Sequence, residues 1–406
     1  MGGAAAQLVA LKHSRAPALA YSVAAFSSVS LHRAAAPPIP TFPHKGGRGL
    51  LCAKSGAGPV VASTALPRAE LFQLDTCGHA SHIGCMKLDD REQHFRIPSP
   101  LDGLSLFLRY LPPAGASSIG IVLYVHGATF PSALSIAHRF DGRSWRDALC
   151  EAGFHVWGLD FHGFGESDRY PQMREAPDKH PPLGRADIAS AQVAAAVRFI
   201  LDHHGAERLS LIAHSWGTMP AAKCAGMHPE LIDRLMLFGP IARRATLERA
   251  AAPTLPAWRV VTLEDQWTRF VEDVPSDEPP VLSRAHFADW GERYLDSDPG
   301  ARRRDPPGVQ VPSGPTEDIA QAWAGALPFD PARVQAPVAI VRGAWDHLIP
   351  DADARWLFDA FAASPIKRDI KIGRATHLMH LERMRWALYR ESIAFLEGDD
   401  EAPADH

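Results

Sequence analysis

No run of apolar residues in this chain reaches the roughly 18 that a membrane-spanning helix needs, so no integral membrane segment is expected. Cysteine is scarce as well. Cys52, Cys77, Cys85, Cys150 and Cys224 are five in 406 residues, odd in number and sparse. That pattern is unlike the dense, even sets of small disulfide scaffolds, and it reads as mostly reduced thiols. The run CGHASHIGC, from Cys77 to Cys85, gathers two Cys and two His at a spacing that fits no common zinc pattern, so no metal is expected there.

Acidic side chains are missing altogether from residues 1–69, which carry Lys12, Arg15, Arg33, Lys45, Arg48, Lys54 and Arg68 among many Ala, Ser and Pro. Such acid-poor, low-complexity composition is that of an organelle transit peptide, and APALAYSVAAF weakly imitates a secretory apolar region. Residues 1–85 are therefore expected to be a disordered extension or a targeting segment. The protein is expected in the cytoplasm unless that segment sends it to an organelle or out of the cell. A concentrated positive charge is lacking too. The net charge is −4 and the Lys and Arg residues are scattered, which argues against a nucleic-acid partner.

What remains is ordinary globular composition, 46% hydrophobic and 22% charged, enough for one large α/β domain or two smaller ones. It begins near Met86. Strand-like runs and helical patterns then alternate, which predicts a mostly parallel central sheet flanked by helices. LSLFLRYLP (104–112), IGIVLYVHG (119–127), FHVWGLDFHG (154–163), RLSLIAHS (208–215), RLMLFGP (234–240), PVAIVRGAW (337–345) and RDIKIG (368–373) read as strands. WRDALCEAG (145–153), RADIASAQVAAAVRFILDHHG (185–205), DADARWLFDAFA (351–362) and HLERMRWALYRESIAFLEG (380–398) read as helices. Almost a hundred residues separate two of the strands, too many for a plain loop. The interval 241–337 is Pro-rich and carries Trp258, Trp267, Trp290 and Trp323, which predicts an inserted, mainly helical cap. Its aromatic residues fit an internal core as well as a pocket wall. The core would then be 86–240 and 338–398, with a tail at 399–406.

In LIAHSWGTMP (211–220) an apolar strand ends abruptly on Ser215, with the small residues Ala213 and Gly217 two positions to either side. A sharp strand–turn–helix elbow needs that spacing. A helix N-cap would explain a lone serine equally well. A serine hydroxyl becomes a useful nucleophile only beside a base that is oriented by a carboxylate. Asp346, just past an apolar strand, and His377, after the last strand, supply both types in the chain order Ser, Asp, His. His347 and His380 are rival bases.

Residues 93–397 resemble the α/β-hydrolase superfamily with a cap. YVHGAT (124–129) is similar to the family's His-Gly loop, DFHGFGESD (160–168) to its Gly-rich segment, and AHSWGT to its nucleophile elbow. The resemblance implies Ser215 as nucleophile, His377 as general base, Asp346 as orienting acid, and the N–H groups of Ala128 and Trp216 as an oxyanion hole. It calls for no cofactor. His126, Trp267 and Trp290 are candidates for substrate contact, with a structural role the alternative for His126. A serine disfavours the haloalkane dehalogenases and epoxide hydrolases of the superfamily, which use an aspartate at the elbow. The implied activity is hydrolysis of a carboxylic ester or related acyl compound with an apolar or aromatic portion. A proline-iminopeptidase-like aminopeptidase, a carbon–carbon bond hydrolase, an acyltransferase or a ligand-sensing receptor on the same fold remain open. Nothing speaks to oligomeric state.

Overall fold

The computed structural model describes residues 88–244 and 255–398. The extension 1–85 with its Cys–His run, and the tail 399–406, lie outside the described residues.

Eight strands form one sheet: β1 (Gln93–Pro98), β2 (Ser105–Leu111), β3 (Gly120–Val125), β4 (Phe154–Asp160), β5 (Leu209–His214), β6 (Ile232–Phe238), and two that follow the insertion. The antiparallel pair β1 and β2 leads into β4, and from there through β3, β5 and β6 the neighbours run parallel. A strand buried on both faces reads as a nearly continuous apolar run, and β3 (GIVLYV) does so throughout. Leu123, Leu211 and Leu237 enter one core, while Val122, Tyr124, Ile212, Met236 and Phe238 enter the other.

The helices that cover those faces are bounded by local signals. α1 (Trp145–Glu151) starts at Ser144, whose hydroxyl accepts from the Asp147 N–H while the Asp147 carboxylate accepts from the Ser144 N–H. α2 (Ala186–His204) stops at Gly205, which takes the left-handed conformation with φ 62° that favours glycine. α3 (Thr218–Met227) packs on α2.

The insertion is only partly helical. Trp258–Thr262 (β7) and Gly308–Pro312 (β8) pair antiparallel as a separate two-stranded ribbon. Around it stand α4 (Leu263–Val271), α5 (Arg284–Asp296) and α6 (Gly314–Trp323). The chain then rejoins the sheet through β9 (Val338–Gly343) and β10 (Lys367–Ile372), with α7 (Asp351–Ala360) between them and α8 (Arg385–Glu397) last. The final helix begins five residues later than the pattern from His380 suggested. Met379, His380 and Leu381 form a buried 3₁₀ turn instead. No helix among the described residues is long and apolar enough to cross a membrane.

Candidate active site

The parallel strands all deliver their C-terminal ends to one edge of the sheet, which is where an open α/β sheet holds its ligands. At the end of β5, Ser215 has φ 56°. A non-glycine residue in that region is held against its own preference, at a cost of roughly 1–3 kcal/mol. The surroundings impose it. A Cβ on Gly217 would lie 2.2 Å from the His126 carbonyl oxygen, so only glycine lets the turn approach β3 this closely.

Loops after β9 and β10 bring Asp346 and His377 to the same place. His377 Nδ1 donates to Asp346 Oδ2 at 2.9 Å, which leaves Nε2 to accept from the Ser215 hydroxyl at 2.8 Å. All three residues are buried, and the second Asp346 oxygen accepts from the Leu348 N–H at 3.0 Å. Gly239, with φ 52°, passes close by, and a Cβ there would come within 2.9 Å of His377 Nδ1. A hydrogen-bonded Ser–His–Asp chain of this kind can activate a hydroxyl and return its proton to a leaving group.

His126 is a structural clamp here rather than a substrate contact. The Phe161 N–H donates to its Nε2 at 3.0 Å, so Nδ1 carries the proton and donates to the Gly127 carbonyl at 2.7 Å. Both ring nitrogens are thereby used, and burial holds the ring below the ordinary histidine pKa. The clamp has a consequence for its neighbour. A trans peptide points N–H and C=O in opposite directions, so fixing the Gly127 carbonyl turns the Ala128 N–H the other way. That N–H makes no hydrogen bond among the described residues, and Ala128 lines a pocket with Ser215. Trp216 follows Ser215 in the first turn of a short 3₁₀ helix, where backbone N–H groups have no helical partner.

Other polar residues hold the loops. His214 donates from Nε2 to the His377 carbonyl at 3.1 Å, and burial together with the neighbouring His380 and His377 keeps it neutral. Glu382 accepts from both the N–H and the hydroxyl of Thr376, the residue before His377, and burial pushes its carboxyl up to about 8. Asp160 accepts from the Ser132 N–H at 2.9 Å and the Glu166 N–H at 3.2 Å, which shapes the Gly-rich loop after β4. Asp318, on α6, accepts from the Trp216 indole N–H at 3.0 Å, from the Ala186 N–H at 2.6 Å and from Arg185.

The rival bases stand elsewhere. His380 is buried with Nε2 against Ser135 Oγ at 3.2 Å, and His347 is exposed, its Nδ1 on Asp273 Oδ1 at 2.9 Å. Neither cap tryptophan lines the pocket at Ser215. Trp290 has 0% exposure, stacks on Tyr294 and donates to the Leu134 carbonyl at 2.9 Å, so it is core. Trp267 packs edge-on to Phe287, with the Arg284 guanidinium 3.4 Å over its ring. The pocket itself is small. Gly127 to Phe130, His214 and Ser215 line it, together with Arg269 from the insertion. Arg269, Asp318 and Glu382 escaped the sequence reading, because each looks like an ordinary residue of an amphipathic helix. Asp273 has a side chain that is only 11% exposed and faces His347.

A doubly covered parallel sheet with an elbow serine, a His and an Asp at its C-terminal edge is the arrangement of the α/β-hydrolase fold. The family model for that fold matches residues 120–383, and the chain belongs to the family. Among individual proteins, epoxide hydrolase A of Mycobacterium tuberculosis is 32% identical over 149 residues, 36% of this chain and 38% of that one. Human lysosomal acid lipase/cholesteryl ester hydrolase is 29% identical over 145 residues, 35% of this chain and 34% of the enzyme. The matches thus span little more than a third of these curated relatives. A lipase solved in an open form shares the fold with a TM-score of 0.52 at 18% identity, covering 75% of this chain and 98% of the lipase.

Proposed function

We propose that the protein is a serine hydrolase that cleaves a carboxylic ester or closely related acyl compound through an acyl-enzyme. The observation that carries this reading is the unbroken hydrogen-bonded chain from Ser215 through His377 to Asp346, with the serine strained at the head of a pocket. In the proposed cycle His377 Nε2 takes the Ser215 proton as Oγ attacks the acyl carbonyl. Asp346 holds the resulting imidazolium in place. The Ala128 and Trp216 N–H groups receive the developing oxyanion, where two preformed donors lower the barrier most. His377 then protonates the leaving alcohol, activates a water, and the acid is released.

A hydroxyl at the elbow supports acyl transfer over epoxide opening, since Ser215 carries no carboxylate to attack an epoxide carbon. Residues 86–240 and 338–398 serve as the catalytic core and 241–337 as the cap over it. Because Trp290 is committed to the cap's own core, selection by an aromatic wall is not part of this reading. The test is labelling with a fluorophosphonate followed by peptide mass analysis. Modification of Ser215 and turnover of short 4-nitrophenyl esters are expected. Labelling that survives Ser215→Ala, or no ester turnover by a folded, labelled protein, would overturn the assignment.

A further inference from the structure

Two guanidinium groups of the cap, those of Arg269 and Arg259, are in no ion pair among the described residues. Arg269, on α4, lines the same pocket as Ser215, Ala128 and Thr129. Its Nη1 donates to Thr129 Oγ1 and to Gln266 Oε1, both neutral acceptors, and its other nitrogens make no hydrogen bond among the described residues. A guanidinium has five N–H donors in a planar fork, so most of its capacity is unused. Glu272 and Asp273, one turn along the helix, favour its charge through space but accept none of its hydrogen bonds among the described residues, and Asp273 is on His347.

Arg259, on β7, makes no hydrogen bond or ion pair among the described residues, and its Nε is buried without an acceptor. Burial, and then the charge of Arg269, hold Arg259 below its ordinary pKa. Buried or half-buried charge is normally paired, and the open donors of Arg269, in the pocket that Ser215 lines, are explained by an anion that binds there.

The size of the pocket bears on the anion. Arg269 and Ser215 line the same small pocket, so an anion on Arg269 stands only a short chain away from the serine. The planar fork of arginine matches the two oxygens of a carboxylate.

We propose that Arg269 sets the specificity of this site, and that the substrate is the hemiester of a short dicarboxylic acid whose free carboxylate lies against Arg269. This rests on the reading of Ser215 as nucleophile. Ser215 Oγ attacks the esterified carbonyl, the alcohol leaves with the proton from His377, and water releases the diacid. One hemiester and one water give one diacid and one alcohol.

The experiment compares monoethyl glutarate with ethyl pentanoate, a neutral ester of the same carbon chain, by pH-stat titration with the full-length protein. The wild type is expected to favour the hemiester by at least about tenfold in kcat/KM, a modest value for one charged hydrogen-bonded contact. In Arg269→Gln that ratio falls to near or below one, and Arg269→Lys restores part of it. Glutarate binding to Ser215→Ala, measured by calorimetry, reads the same contact without turnover and weakens at least about tenfold when Arg269→Gln is added. A wild type that turns over ethyl pentanoate as well as the hemiester overturns the inference while leaving the serine reading intact. A ratio unchanged in a folded Arg269→Gln does the same. Absence of turnover on both esters, with Ser215 unlabelled by fluorophosphonate, overturns the serine reading and the inference together.

Discussion

Around the candidate site, groups of the core and of the cap differ in how far the chain satisfies them. In the core, Asp346 divides its two oxygens between His377 and the Leu348 N–H, His126 uses both ring nitrogens on backbone, and Asp160 ties Ser132 to Glu166. In the cap, Arg269 spends one nitrogen on neutral acceptors and Arg259 spends none. The difference separates two tasks. Reactive groups must be preorganised before substrate arrives, so the chain satisfies them itself. Groups that choose a substrate must keep capacity for something outside the chain.

The largest test of this contrast is Ser215→Ala, expected to lower kcat by about 10⁴-fold or more with the thermal unfolding midpoint nearly unchanged. His377→Ala should match it, and Asp346→Asn should fall close behind because the imidazole loses its orienting acceptor. Steady-state kinetics on a short ester reads all three. If His380→Ala proved more damaging than His377→Ala, the core would not be organised as described. On the cap side, Trp290→Ala should act through packing, destabilising by about 3–5 kcal/mol in chemical denaturation, since a fully buried indole leaves a large cavity. A large change in KM for a short neutral ester without that loss of stability would make Trp290 a substrate contact after all.

Glu382 sharpens the comparison through pH. Its folded pKa of about 8 lies above the ordinary 4.5, so the native state binds more protons than the unfolded chain between those values. Stability then falls as pH rises through that window, and this contribution is fully present only below the unfolded pKa. Glu382→Gln should flatten the stability profile between pH 5 and 8, measured by urea unfolding at a series of pH values. A steeper profile in the variant would contradict the sign. A smaller effect is expected from Ser215→Gly, which abolishes turnover yet raises stability by up to about 1 kcal/mol as the left-handed strain is relieved. The smallest concerns neither region: a chain beginning at Met86 should unfold and turn over like the full-length protein.

The sheet strands and most core helices were readable because they are locally overdetermined. β5 and β6 are apolar at nearly every position, and α2 closes on a glycine that needs a positive φ. The chain order of Ser215, Asp346 and His377 was readable because Ser215 and Asp346 follow apolar strands and His377 lies between the last strand and the last helix. The cap was harder for a physical reason. β7 and β8 pair across 45 intervening residues, with Gly308 admitted only because a Cβ would meet Val260 at 2.6 Å, and no local pattern announces such a pairing. Arg269 sits on a short helix with acids around it, the pattern of a solvated surface. Its proximity to Ser215 comes from tertiary packing, as does the burial of Glu382 and His380 in what reads as one amphipathic helix.

Asp318 limits how this protein could be re-engineered. It belongs to the insertion, yet it caps the first turn of α2 through the Ala186 N–H and anchors the indole of the residue beside Ser215. Exchanging the cap for that of another family member would therefore remove a fastening from the scaffold itself, leaving a core helix with an open end and the Trp216 N–H without an acceptor. Chimeras that cut at the apparent boundaries should express poorly unless the donor segment brings a carboxylate to the same point. A transplant that keeps residues 314–323 and replaces only what precedes them divides the molecule at a better seam.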